Sequence, residues 1–82
     1  MSEVSANEQH VFEFSLNEGY ELSYGWFRQA GARMSSEYPS KRDVYQIVMP
    51  RLQPGNYFLR LYVRQTGERT YWSCGEFGFI VK

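Results

Sequence analysis

The chain has very few residues with the chemistry for catalysis or metal binding. Among its 82 residues there is one cysteine, Cys74, and one histidine, His10. A single cysteine excludes a disulfide within the chain, and together the two residues cannot supply the four ligands of a structural zinc site. Nucleophilic catalysis needs a nucleophile, a base and a group that orients the base, and His10 lies at the edge of a polar N-terminal segment. We therefore expect a protein that is not an enzyme and that needs no metal and no organic cofactor.

Excess charge of one sign is also absent. Nine basic and nine acidic residues give a formal net charge of +0. A general nucleic-acid binder needs a clear basic excess to displace the counterions of the phosphates, so nucleic acid is not the expected partner. Acidic residues dominate the N-terminal part and basic residues dominate from Arg28 onward. This division would let the acidic part of one copy of the chain contact the basic part of a second copy.

The sequence contains no recognisable targeting or membrane-spanning segment. The first nine residues have neither the basic start nor the apolar centre of a signal peptide, and no apolar run is long enough to cross a bilayer. Together with the single cysteine, this predicts a complete cytoplasmic protein rather than a secreted one. The competing interpretation is a domain cut from a longer secreted chain.

Aromatic residues are abundant, at 18% of the chain, and they lie in segments that alternate between apolar and polar positions. Such alternation predicts β-strands, here at residues 11–16, 20–27, 44–49, 56–65 and 77–82, with a returning strand that starts at 70–73. Turn signals recur about every 8–12 residues, a spacing typical of all-β domains, and no segment has a helical period. Residues 1–9 are predicted to form a flexible tail, residues 30–42 a long loop, and residues 10–82 one β domain.

One short pattern resembles a known family. Leu52-x-Pro54-Gly55-x-Tyr57, followed by an alternating strand, looks like the E–F corner of fibronectin type III and related immunoglobulin-like domains. In that family a tyrosine at the start of strand F closes the corner through its hydroxyl, and Tyr57 matches it. The resemblance covers about residues 44–82. It implies an all-β fold, a small antiparallel β-sandwich of five to seven strands.

A second element, Trp72-Ser73, is similar to the Trp-Ser motif of cytokine-receptor fibronectin domains. In those domains the tryptophan stacks on arginines that project outward from strand F, and Arg60 and Arg64 match such arginines. The resemblance therefore implies an internal stack of Trp72 between Arg60 and Arg64. Each cation–π contact of this kind contributes about 0.5–1 kcal/mol when it is exposed.

The strand after Gly55 carries the best candidate for a binding surface. Its odd-numbered residues are apolar and can line a core, whereas its even-numbered residues form an outward row of aromatic and arginine side chains. Such residues are enriched in the hot spots of protein interfaces. The residues expected to contact a partner are Phe58, Arg60, Tyr62 and Arg64 on this strand, Tyr71 and Trp72 across the hairpin, and Arg33 and Tyr38 in the long central loop.

Trp26 and Phe27 are neighbours that should point to opposite faces of their strand. Trp26 is predicted to lie in the core. Phe27, if it points outward, would widen an exposed apolar patch or belong to a dimer interface.

These features favour a non-catalytic protein-binding module, such as a small stand-alone inhibitor or adaptor. Two alternatives use the same chain differently. The outward rings would stack on sugars in a carbohydrate-binding accessory module, or exposed strand edges would let the chain associate with itself as a structural subunit.

Overall fold

The computed structural model describes residues 2–82 and folds them into seven β-strands. These are β1 (Ser2–Val4), β2 (Val11–Ser15), β3 (Tyr20–Arg28), β4 (Arg33–Glu37), β5 (Val44–Val48), β6 (Gly55–Gln65) and β7 (Trp72–Val81). Five strands form one sheet in the order β1-β7-β6-β3-β4, and β2 pairs with β5 in a second sheet. The prediction of an all-β fold is confirmed. In this range the chain forms no helix, so none is present that is long and apolar enough to cross a membrane.

Two glycine turns lie side by side where β3 begins and β6 ends. Gly19 precedes β3 with a φ of 91°, and Gly67 follows β6 with a φ of 96°. Glycine adopts positive φ without the steric penalty that other residues incur. The two turns are also joined, because the Thr66 amide donates to the Gly19 carbonyl at 2.9 Å. This contact helps to set the register of β3 against β6.

The core lies between the two sheets. We call the face of the five-stranded sheet that is directed at β2 and β5 the inner face, and the opposite face the outer face. The Phe12 ring on β2 lies 5.8 Å from the rings of Trp26 on β3 and Phe79 on β7, measured between centroids. The buried residues of this core are Val4, Leu22, Trp26, Tyr45, Ile47, Met49, Leu52, Tyr57, Leu59, Leu61, Phe79 and Val81. Trp26 is thus in the core, as predicted.

The N-terminal segment is more ordered than its sequence indicates. Ser2–Val4 forms a strand that runs parallel to β7, from Phe79 to Val81, and Val4 is buried in the core. The Ala6 amide donates to the Lys82 carbonyl at 2.9 Å. These observations correct the expectation of a tail for residues 2–6, whereas Met1 lies outside the described residues. The segment has too few residues to show a period, and its pairing depends on backbone groups.

The long central loop also contains a strand. Arg33–Glu37 forms β4, which pairs with β3 at the edge of the larger sheet. Four of its five residues are polar and the strand is largely exposed, so no apolar alternation marks it in the sequence. The prediction of a loop at residues 30–42 is therefore wrong for Arg33–Glu37.

The final hairpin contains a β-bulge. Leu61 pairs with Gly75, but the next residue, Tyr62, pairs with Ser73, so Cys74 has no partner across the strand. The segments that the sequence separates into two pieces form one strand, Trp72–Val81. An extra residue of this kind shifts the register of everything beyond it. This shift decides which side chains of the hairpin share a face.

Candidate functional site

On the outer face, several large side chains of β6 lie opposite a small residue on one of the two neighbouring strands. Arg60 lies opposite Gly25, and Tyr62 lies opposite Ser23. Phe58 lies opposite Gly78 on β7. A Cβ atom at Gly25 would lie 3.0 Å from a ring carbon of Phe27 and 3.0 Å from the Ser35 carbonyl oxygen. Small neighbours therefore let the rings and guanidinium groups lie flat across the strands.

One end of the outer face holds two stacked phenylalanines beneath arginines. The rings of Phe27 and Phe58 are 4.9 Å apart at their centroids and nearly parallel, with an interplanar angle of 4°. The Arg60 guanidinium carbon lies 4.9 Å from the Phe27 centroid, and that of Arg33 lies 5.3 Å from it. The Nε atom of Arg60 donates to a Glu76 carboxylate oxygen at 2.7 Å. The guanidinium of Arg60 is thus held by a ring below and a carboxylate beside it.

Phe27 does not widen an exposed patch. It lies on the outer face, as alternation predicts, but only 5% of its surface is exposed. The alkyl stems and guanidinium groups of long cationic side chains can cover apolar surface while their charge stays in water. The prediction that an outward Phe27 would add to an exposed apolar patch is therefore wrong.

The other end of the outer face holds a second arginine stacked on a ring. Two nitrogens of Arg64 donate to one carboxylate oxygen of Glu21, at 2.8 and 3.1 Å. The Arg64 guanidinium carbon lies 4.6 Å from the Tyr71 centroid. The ring of Tyr38 meets Tyr71 edge to face at 5.8 Å and is 69% exposed. This end presents tyrosine rings and hydroxyls to solvent.

Three ionisable groups of the outer face, Arg60, Arg64 and Tyr71, have pKa values raised by their surroundings. The Tyr62 hydroxyl and then the Glu76 carboxylate raise the pKa of Arg60, and the Glu21 carboxylate raises the pKa of Arg64. Partial burial raises the pKa of Tyr71, although Arg64 opposes that shift. The arginines therefore remain cationic, and Tyr71 remains a neutral hydroxyl that can donate a hydrogen bond.

Trp72 is not part of this face. The bulge at Cys74 places Trp72 opposite Val63, whose side chain packs against the core on the inner face. Without the extra residue, Trp72 would lie opposite Arg64. Tyr71 takes that place instead and stacks against the arginine. The implied stack of Trp72 between Arg60 and Arg64 is therefore wrong, since these arginines cover Phe27, Phe58 and Tyr71 instead.

Trp72 lies instead at an open groove beside the last hairpin. The groove has a volume of about 380 Å³ and is lined by Tyr20, Val63, Arg64, Gln65, Glu68, Thr70 and Trp72. The indole is 69% exposed. An exposed ring beside amide, carboxylate and hydroxyl groups can combine stacking with hydrogen bonding.

The outer face therefore collects seven of the eight residues that the sequence proposes for binding. They are Arg33, Tyr38, Phe58, Arg60, Tyr62, Arg64 and Tyr71. Three further residues of this cluster, Phe27 and the carboxylates Glu21 and Glu76, were not predicted from the sequence to belong to a binding surface. Strand pairing identifies all three, because each contacts an arginine or a ring of β6 from a neighbouring strand.

The residues considered for chemistry lie in ordinary surroundings. The His10 ring packs edge to face on Phe12 with centroids 4.6 Å apart. Cys74 lies at the bulge, where partial burial raises the pKa of its thiol and so favours the protonated, less nucleophilic form. Among residues 2–82 no three histidine, cysteine, aspartate or glutamate side chains are placed to hold a metal ion.

Comparisons with known proteins add no assignment: no family model, no curated protein and no solved structure matches the chain. The interpretation of the outer face therefore rests on its own geometry.

Proposed function

We propose that the two sheets form a small immunoglobulin-like β-sandwich of the fibronectin type III kind. The order β3-β6-β7 and the separate β2–β5 pair correspond to the C-F-G and B–E strands of such domains. The Tyr57 hydroxyl donates to the Gln53 carbonyl oxygen at 2.7 Å. A tyrosine in that corner makes the same kind of bond to the backbone a few residues upstream.

For function, we propose a non-catalytic protein-binding module that uses the outer face, such as a small inhibitor or adaptor. The observation that carries the proposal is the gathering of tyrosine, phenylalanine and arginine side chains onto one face from three strands, β3, β4 and β6, and from the residues next to strand ends, Tyr38 and Tyr71. Tyrosine and arginine are enriched in interface hot spots because they combine large contact area with directed hydrogen bonds.

The arrangement of the arginines supports this proposal energetically. Arg60 and Arg64 are each fixed by a carboxylate and a ring. Immobilising a flexible side chain at an interface costs about 0.5–1.5 kcal/mol, and much of that cost has already been met during folding. The exposed Tyr38 ring stands above this ordered layer. A protein partner would therefore meet a largely pre-organised surface.

The experiment compares capture by the wild type, an outer-face variant and a matched control. The outer-face variant carries Tyr38→Ser, Tyr62→Ser and Tyr71→Ser and keeps both arginines. The control is Trp72→Ala, which removes an exposed ring from the opposite side of the sheet. A protein captured from lysate of the source organism would then be purified and titrated against each form by calorimetry.

We expect the partner to bind the wild type and the Trp72→Ala control alike. The outer-face variant should bind at least about thirtyfold more weakly, as the loss of a hot spot of about 2 kcal/mol implies. Equal binding by the outer-face variant would contradict the proposal, provided that circular dichroism shows all three forms folded.

One observation favours the carbohydrate alternative at a different place. The groove beside Trp72 combines an exposed indole with Gln65, Glu68 and Thr70. Calorimetric titration with simple oligosaccharides should show binding that Trp72→Ala removes and the outer-face variant keeps. Absence of binding across a glycan array would count against this alternative.

A further inference from the structure

The arginines of the outer face differ in whether a carboxylate accompanies them. Arg60 and Arg64 each form an ion pair with a glutamate on a neighbouring strand. Arg33 also stacks on a ring, with its guanidinium carbon 5.3 Å from the Phe27 centroid. Among residues 2–82, however, no carboxylate forms an ion pair with Arg33. Its charge is therefore the one that the face itself does not balance.

The strand that carries Arg33 cannot supply the missing carboxylate. Glu37 is the only acidic residue of β4. It pairs with Tyr24, whose side chain packs against the core on the inner face. Arg33 pairs with Phe27 on the outer face. The acidic and the basic residue of this strand therefore lie on opposite faces of the sheet.

The two ends of the outer face consequently differ in charge. At one end Arg33 and Arg60 both lie over the Phe27 ring, and Glu76 neutralises Arg60. This end keeps a single positive charge. At the other end the arginine has its own glutamate partner, so the charges there are already balanced.

The guanidinium of Arg33 is able to bind an anion while it stays on the ring. Stacking uses the flat face of a guanidinium, whereas its N–H donors lie in its plane and form a fork that matches a carboxylate. Arg33 is exposed, so water can solvate these donors in the free protein. A partner that displaces this water must supply a negatively charged acceptor, because burying an unpaired ion is unfavourable.

We propose that the protein partner of the outer face presents an aspartate or glutamate side chain to Arg33. The inference rests on the proposed function, since it names the chemistry of the partner at that surface. A carboxylate carries one negative charge, which balances the single positive charge of this end. A phosphoryl group carries about −1.5 to −2 at neutral pH and would leave excess negative charge near Glu76. Arg33 thus selects for acidic partners, as charged residues at interfaces do.

The test begins with a library of random dodecapeptides displayed on phage and selected on the wild type. Peptides that also bind the outer-face variant are discarded, so those that remain recognise the outer face. We expect the remaining peptides to be enriched in aspartate or glutamate relative to the unselected library. Remaining peptides without this enrichment would contradict the inference alone. If no peptide remains, the proposed function is contradicted and the inference fails with it.

A double-mutant cycle then identifies the arginine. A selected peptide is titrated by calorimetry against the wild type, Arg33→Gln and a matched control, Arg51→Gln, which removes an exposed arginine from the connection between β5 and β6. The control should bind like the wild type. Arg33→Gln should bind at least about thirtyfold more weakly, as the loss of one partner of a buried charge pair implies.

The other half of the cycle changes only the peptide and so does not depend on any variant folding. Replacing the acidic residue of the peptide by its amide should cost the same factor on the wild type and nothing further on Arg33→Gln. Equal binding of the two peptides to the wild type, or independent losses in the cycle, would overturn the inference even if the tyrosines bind peptides. Tighter binding of a peptide with phosphoserine at that position would contradict the choice of a carboxylate.

Discussion

The two faces of the five-stranded sheet bury aromatic rings to the same degree by different means. Trp26 on the inner face is 3% exposed and its neighbour Phe27 on the outer face is 5% exposed. Trp26 is covered by the second sheet, where the Phe12 ring lies 5.8 Å away. Phe27 is covered by Arg60 and Arg33, whose guanidinium carbons lie within 5.3 Å of its centroid.

The difference shows that burial alone does not define a core. The inner cover is apolar and part of a sheet, so removing it would unfold the domain. The outer cover consists of flexible side chains that keep their charge in water. Such a cover protects the rings in the free protein and can still rearrange against a partner.

The largest effect should come from the inner face. Leu59→Ala removes a side chain that is fully buried between the sheets. It should lower the free energy of unfolding by about 2–5 kcal/mol, because packed neighbours cannot collapse into the cavity. Urea denaturation followed by circular dichroism would measure the loss. A change as small as that of a surface substitution would show that the two sheets are not packed together in solution.

A smaller effect is expected from the outer face at Gly25. Gly25→Ala would bring a Cβ atom to 3.0 Å from both the Phe27 ring and the Ser35 carbonyl oxygen. The backbone contact cannot be relieved by a rotamer change, so we expect a loss of about 1–3 kcal/mol. Gly75→Ala is the matched control, because its nearest contact would be an ordinary 3.6 Å to Phe77. Equal stability of the two variants in urea would mean that the Ser35 carbonyl and the Phe27 ring do not pack against Gly25 as closely as described.

The smallest effect should appear at high pH and involve both faces. Burial, and then the Glu37 carboxylate, raises the pKa of Tyr24 above its usual 10.0, and burial raises the pKa of Tyr71. The folded protein therefore holds these protons more tightly than the unfolded chain does. Their contribution to stability is complete below pH 10 and is lost as the pH rises through the folded-state pKa values.

Urea denaturation at a series of pH values from about 8 to about 11 would test this dependence. Tyr24→Phe and Tyr71→Phe should each flatten the decline relative to the wild type. Tyr24 has two causes acting in the same direction, whereas Arg64 opposes the shift at Tyr71. A steeper dependence in either variant would contradict the assignment.

The sequence predicts the long strands well because alternation is a property of each strand by itself. β6 shows this best, since its odd-numbered residues from Tyr57 to Leu61 are buried in the core as alternation predicts. The sequence did not predict β1 and β4. Both are short strands at the edges of the sheet, where pairing depends on backbone groups and not on a side-chain pattern. A three-residue strand has no period that a sequence could reveal.

The binding surface was predictable to the extent that it follows one strand. The even-numbered residues of β6 share a face whatever their neighbours do. The face on which Trp72 lies depends on a single extra residue in its own strand, Cys74, which has no partner on β6. No local sequence pattern indicates that extra residue. The carboxylates Glu21 and Glu76 are likewise recognisable only after the strands are paired.

The parallel pairing of β1 with β7 has a mechanical consequence. The first strand begins beside Phe79, and the last amide and carbonyl, those of Lys82, bond Val4 and Ala6. A pull on the two ends of the chain would draw these strands past each other along their length. The hydrogen bonds between them would then share the load and break together instead of opening one at a time, so the domain should resist stretching through this contact.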